Sequence, residues 1–485
     1  MTHLPHIFID NFTHGEIVTY PLIILKGHIN PSIHQAIDGC NHNETQSDPD
    51  KIILQHSVHK ESIQPFNNRF KFILNLNEGN NSIKITSCGC TIEINLIYMP
   101  RETKYIVCPL YIICEEHDGT FQAPDDQDNS SESACKRINL ITRMLQSVTA
   151  EKLYEKTLFR KTFHLEDECQ IFRSKLLYLE ATKMDEKQLW EFIAREIMMS
   201  EIGSETKKYL GFLSCTRYCG EKYQESLRTH EDLVNITEAY VALGGGGLAL
   251  FGSASIYTWP EHFEEIVERF EDQRLIDKSC FLDDSCYRGT IGACFSTSLG
   301  SVLHELCHTF DLGHSSSGIM ARGFDNIYKV FTSHYDKDHK ISLQYHETIE
   351  FKESLEPKLL SERLKNKPKE YQITGSRKTE RDADDTFWTK SCAWILNYHR
   401  WLNDFKENSN YILKFDADSK AFTSTTGLRV VEIRKFSDEL ILEDWVFEGK
   451  ILKYSFQIPQ EIELSDCLIF AEDNVGNILK YDCRK

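Results

Sequence analysis

The sequence predicts a multidomain protein. An N-terminal β-sandwich of immunoglobulin-like type is expected over residues 1–115, a central α/β domain over 116–405, and a small β-rich C-terminal domain over 406–485. Three observations carry this expectation. The chain has 485 residues, about three times the ~150 residues of an ordinary domain. Short apolar segments with period-two alternation dominate both ends. Between them the apolar period shifts to that of helices, which alternate with short apolar runs.

The elements follow in order. Residues 17–25 are apolar and β-branched, and residues 70–76 repeat the pattern. A turn at 78–81 precedes alternating strands at 82–86 and 92–96. Several short strands separated by turn signals suggest a sandwich. The polar stretch 41–50 predicts a loop. Residues 123–130 form a polar linker rich in helix-capping side chains. Beyond it Ile138, Ile141, Met144, Leu145, Val148 and Leu153 share one helical face. Residues 189–199 and 262–270 are further helical patterns. The runs 208–214 and 247–251 read as buried or edge strands. Residues 352–384 are highly charged and predict a mobile insertion or solvated helix. An aromatic helix over 388–402 closes the central part, and β patterning returns at 428–433 and 454–458.

Composition excludes several classes. Hydrophobic residues make up 41% and charged residues 27%, which argues against a disordered, collagenous or coiled-coil chain. The net charge of −19 opposes binding to nucleic acid, and no basic-aromatic pattern offsets it. No run approaches the ~18 apolar residues of a membrane span. The first residues lack the basic start and apolar core of a secretory signal, so a cytoplasmic protein is expected. Its 16 cysteines then read as reduced thiols. The closely spaced Cys88 and Cys90 lack nearby ligand partners.

One segment carries chemistry. His304, Glu305 and His308 form H-E-x-x-H, and Leu299, Val302, Leu303, Leu306 and Phe310 give it an apolar helical face. Ser296 or Thr297 is the expected helix cap. Two histidines one turn apart point the same way and can bind one Zn²⁺. Glu305 lies ~100° round the helix, where a general base for a zinc-activated water should stand. His314 reaches the same metal if the helix ends soon after His308, and Asp311 and Gly313 supply turn chemistry. Three protein ligands and an open fourth position make a catalytic site. Cys307 reads as a small core residue. Tyr328 and Arg322 lie downstream as ordinary residues, and no oxyanion donor is evident. The run 244–247 lacks the endings of a P-loop or dinucleotide motif.

This segment resembles the metzincin zinc peptidases, whose pattern is H-E-x-x-H-x-x-G-x-x-H followed by a methionine turn. Met320, just after Gly318, matches that turn. More specifically, the chain resembles a poorly characterised zinc-peptidase family of fungi and animals. The likeness lies in residues 15–22, 121–124, 132–137, 213–217, 244–252 and 283–286 and in the histidine region, and spans most of 10–405. Fungal members of that family can carry a C-terminal jacalin-type lectin domain, while the tail here is assigned only as β-rich.

The resemblance implies a metzincin-like zincin domain that hydrolyses peptide bonds in a protein or peptide substrate. It implies Zn²⁺ on His304, His308 and His314, Glu305 as general base, and Met320 supporting the site from below. It also makes Leu248, Ala249, Leu250 and Phe251 the edge strand on which a substrate pairs. Asp311 stands where the metzincin pattern has glycine, and a left-handed turn there costs on the order of 1 kcal/mol. Alternatively Asp311 approaches the metal or hydrogen-bonds a ligand histidine. Two other functions fit the residues: a non-catalytic zinc-binding scaffold, or a protein- or glycan-binding module built on the β-rich ends.

Overall fold

The computed structural model describes residues 7–30, 51–87, 90–227, 229–333, 385–405 and 410–484. The expected loop at 41–50, the charged segment at 352–384 and Cys88 lie outside these residues.

The N-terminal part contributes β1 (Ile7–Ile9), β2 (Glu16–Val18), β3 (Leu22–Ile29), β4 (Ile52–His56), β5 (His59–Ile63), β6 (Arg69–Asn75), β7 (Gly79–Ser87) and β8 (Cys90–Tyr98). They form two sheets, ordered β1-β3-β6 and β2-β8-β7-β4-β5. Alternation places Asn81, Ile83, Ile85 and Ser87 of β7 inward. Ile23, Leu25, Phe70 and Phe72 of the first sheet share a core with Leu54, Ile83, Ile85 and Leu96 of the second.

The central part contains β9 (Ile106–Glu115), α1 (Ser131–Thr157), β10 (His164–Leu165), β11 (Gln170–Leu177), α2 (Glu186–Met199) and β12 (Lys207–Leu213). There follow β13 (Arg217–Tyr218), β14 (Thr237–Glu238), β15 (Ala242–Gly245), β16 (Leu248–Gly252), α3 (Ile291–Thr309) and α4 (Lys390–Tyr398). The main sheet runs β10-β9-β12-β16-β15, with β11 also on β9. Strand β9 falls within the residues assigned to the N-terminal part, yet it pairs in parallel with β12 over seven residues. Both faces of this sheet are covered, so its strands read as nearly unbroken apolar runs. Val107, Tyr111 and Ile113 of β9 pack with Ile138, Ile141 and Leu145 of α1. Cys108, Leu110 and Ile112 turn to the other face, against Leu189, Ile193 and Ile197 of α2.

One expectation is corrected here. Leu248, Ala249, Leu250 and Phe251 do not form an edge strand, because β16 lies between β12 and β15. Gly246, at φ 52°, closes a tight hairpin that folds β15 onto the outer side, antiparallel to β16.

The C-terminal part is an antiparallel sheet of β17 (Leu413–Asp416), β18 (Ala421–Lys435), β19 (Ile441–Val446), β20 (Lys453–Gln457), β21 (Cys467–Asp473) and β22 (Ile478–Asp482). Val431, Ile433, Ile469 and Ala471 build its own core. Val430 and Phe470 face the other way and join the central core beside α4. The whole is a multidomain, largely β-rich molecule ending in a small β domain. Among the described residues no helix is long and apolar enough to cross a membrane.

Candidate metal centre

The site is built on α3. Thr290 caps it, its hydroxyl accepting from the Ala293 N–H at 3.2 Å. The expected caps, Ser296 and Thr297, are buried inside the helix instead. Ser296 donates to the Asp325 carbonyl at 2.8 Å, and Thr297 accepts from Arg288 at 2.8 Å. These tertiary bonds satisfy hydroxyls that local sequence would assign to a cap.

His304 and His308 leave α3 on one side. The helix stops at Thr309, and Asp311 at φ 63° turns the chain back. His314 thereby meets the other two: its Nε2 and that of His304 each lie 3.2 Å from the Nε2 of His308. The three groups could together hold a metal ion. The opposite ring nitrogens face backbone carbonyls. Nδ1 lies 2.9 Å from the Ile319 oxygen for His304, 2.9 Å from the Leu312 oxygen for His308 and 2.5 Å from the Asp438 oxygen for His314. A carbonyl only accepts, so each Nδ1 carries the proton and each Nε2 presents a lone pair. Three converging lone pairs repel one another unless a cation stands between them. Burial pulls His304 down to about 4 and His308 to about 3, so both rings are neutral near pH 7 and able to ligate a metal.

The third histidine is fixed from far along the chain. Its N–H donates to the Glu439 carbonyl at 3.1 Å, and its own carbonyl accepts from the Ile441 N–H at 2.9 Å. The loop between β18 and β19 therefore grips both its backbone and its ring. The Asp311 carboxylate pairs with Lys480 at 2.8 Å and His399 at 3.4 Å. It serves these partners instead of the metal position or a ligand histidine, which corrects the alternative role weighed for it.

Glu305 projects beside the cluster, and its Oε2 accepts from the Gly244 N–H at 2.8 Å. Burial raises its carboxyl to about 7 against the lowering effect of that bond, with Glu186 adding to the rise. Strand β15 crosses α3 so closely that a Cβ on Gly244 would sit 1.9 Å from the Glu305 carbonyl oxygen. Gly244 is the residue that sequence reasoning missed. Its only signal was the glycine run, which reads equally well as a turn.

Met320 is buried in a tight turn in which the Ala321 N–H donates to the Gly318 carbonyl at 3.0 Å. It directly follows Ile319, whose carbonyl orients His304. Phe324 packs edge-on against His304, with ring centres 5.3 Å apart. Arg322 is held by Asp325 at 2.9 and 3.0 Å. The Tyr328 N–H donates to the Ser296 hydroxyl at 3.2 Å. Cys307 is buried, and burial pushes its thiol well up, as suits a core residue.

Comparison with known proteins adds a family. Residues 6–397 match the model of a family described as "Putative peptidase family". A protein of Schizosaccharomyces pombe named as a putative zinc metalloproteinase is 25% identical over 357 residues, covering 68% of this chain and 54% of its own length. One of Saccharomyces cerevisiae with the same description is 24% identical over 353 residues, covering 66% and 48%. The chain thus spans about half the length of these relatives. Among solved structures, a carbohydrate acetylesterase from Xanthomonas citri aligns over 43% of this chain and 51% of its own at 8% identity. Its TM-score of 0.14 is too low to speak for the fold.

Proposed function

The chain belongs to this peptidase family, and we propose that it is a zinc-dependent metalloendopeptidase of metzincin type. His304, His308 and His314 hold the metal, and Glu305 is the general base. The observation that carries this reading is the convergence of three Nε2 lone pairs, each ring donating its other N–H to a carbonyl. Tetrahedral Zn–N bonds of ~2.0–2.1 Å place ligand nitrogens about 3.3 Å apart. The 3.2 Å spacings fit that requirement, and three protein ligands leave one position open. Backbone carbonyls on Nδ1 are the usual partners of metal-bound histidines.

Bound zinc supplies Lewis acidity, polarising the scissile carbonyl and acidifying water. Glu305 does the proton work. Gly244 fixes its Oε2, and Oε1 takes the proton from the attacking water and returns it to the leaving amine. Burial raises the proton affinity of the carboxyl, which suits a group that must both accept and release a proton. Met320 supports the turn that presents the Ile319 carbonyl to His304. The outer edge of β15 takes the place of 248–251 as the strand beside which an extended peptide lies.

Elemental analysis and cleavage assays test the reading together. Purified protein is expected to hold stoichiometric zinc, lost in His304→Ala and His308→Ala. Glu305→Ala is expected to keep zinc and lose cleavage of denatured protein panels by about 10²–10⁴-fold. Zinc-loaded wild type that cleaves nothing would reduce the site to a metal-binding scaffold.

A further inference from the structure

We propose that a cavity at the Gly246–Gly247 turn binds a carboxylate of the peptide substrate, so that the enzyme selects acidic peptides. This rests on the peptidase reading of the adjacent centre. The cavity has a volume of about 640 Å³ and lies between α2, the start of β12 and Trp401. The chain as a whole carries −19. The cavity nevertheless gathers Lys104, Lys207, Lys208 and Arg400 against the single carboxylate of Glu205. Lys207 is already paired with Glu166 at 3.2 Å.

Lys208 and Arg400 are differently placed. Lys208 is 7% exposed, donates to the Gly246 carbonyl at 2.9 Å and lies over the Trp401 ring at 4.7 Å. Arg400 reaches the Gly476 carbonyl at 3.3 Å. Among the described residues neither has a carboxylate within ion-pair distance. Burial pulls the Lys208 ammonium down to about 8, against Asp311, while Lys480 and Arg400 add to the lowering. A buried cation whose direct partners are a neutral carbonyl and aromatic faces, with no carboxylate in contact, is under-compensated, and an incoming carboxylate corrects that.

The walls suit a peptide. Trp190 is anchored by its Nε1–H on the Leu248 carbonyl at 3.0 Å, and it lines the cavity together with the edge of Trp401. The position suits the proposed centre as well. Gly246 is two residues beyond Gly244, whose N–H holds Glu305. A peptide along β15 therefore runs over the turn into the cavity. The carboxylate belongs to an Asp or Glu side chain or to a free C-terminus.

Fluorescence anisotropy on the full chain carrying Glu305→Gln tests this without turnover. Labelled peptides carry Glu, Gln or Lys at one position at a time, each with a free or amidated C-terminus. The Glu peptide is expected to bind about tenfold tighter than its Gln counterpart, and the Lys peptide more weakly than either. In Lys208→Met and in Arg400→Met the preference collapses while the Gln peptide keeps its affinity, which also shows that the fold is intact. Should only the free-terminus copies bind tightly, the carboxylate recognised is terminal. Equal binding of all three peptides that is also indifferent to amidation of the C-terminus, or a preference that survives both substitutions, overturns the proposal. An acidic preference in a protein that never cleaves leaves this site standing and removes the peptidase reading alone.

Discussion

Gly244 and Asp311 show how single residues set the geometry of the centre. At Gly244 the edge strand touches the helix backbone, and a Cβ would overlap the Glu305 carbonyl. Gly244→Ala is therefore expected to cost about 1–3 kcal/mol and to disturb the Glu305 carboxylate. Gly245→Ala, whose Cβ would meet nothing within 4 Å, serves as the control. Denaturant midpoints of the two variants should differ accordingly, and equal midpoints would mean that β15 does not press on α3. Asp311 carries a different cost. Its φ of 63° is unfavourable for any residue with a Cβ, and pairing with Lys480 and His399 offsets it. Asp311→Ala loses the partners and keeps the strain. Asp311→Gly loses the partners and relieves the strain. The glycine variant should be more stable than the alanine variant by about 1 kcal/mol, and the opposite order in urea unfolding would refute this account of the turn.

Among the elements, α3 was the most legible in the sequence. Its apolar face and its two histidines one turn apart are local facts, and the helix forms as they require. Its start was not legible, because Ser296 and Thr297 spend their hydroxyls on Asp325 and Arg288. Nor could composition separate β15 from β16 as the edge. An apolar run such as 248–251 suits an interior or an outer strand equally, and only pairing decides. The clamp on His314 was the least legible, since His314 and Asp438 are 124 positions apart. The family match ends at residue 397, so the β18–β19 loop that fixes His314 lies beyond it. Ile441→Pro tests the dependence. Proline removes the N–H that holds the His314 carbonyl. Metal affinity, measured by chelator competition, should fall about 10–100-fold. Unchanged affinity would show that His314 is placed by its own turn.

Across the whole molecule, the N-terminal sandwich is joined to the central part by buried charge as well as by apolar packing. Lys26 of β3 reaches Glu155 of α1 at 2.8 Å, and Lys152 reaches the same carboxylate at 3.0 Å. Arg160 pairs with Glu151 and with Glu16, linking the same two parts. None of this was visible in the sequence, because the pairing is set by how β3 crosses α1. Burial alone would raise Glu155, but Lys26 and Lys152 outweigh it and hold the carboxyl at about 2, below its ordinary 4.5. A carboxyl with a depressed folded-state pKa stabilises above its unfolded pKa, and that contribution is lost as pH falls through the folded value. The pair should therefore contribute fully above about pH 5 and fade toward pH 2, by roughly 3 kcal/mol at one unit per 1.36 kcal/mol. Urea unfolding of wild type and Glu155→Gln across pH 7 to 2 isolates this term, since metal release and other carboxylates act on both proteins. The wild-type advantage should shrink as the solution is acidified, and two curves that stay parallel down to pH 2 would show that the ion cluster does not hold the sandwich to α1.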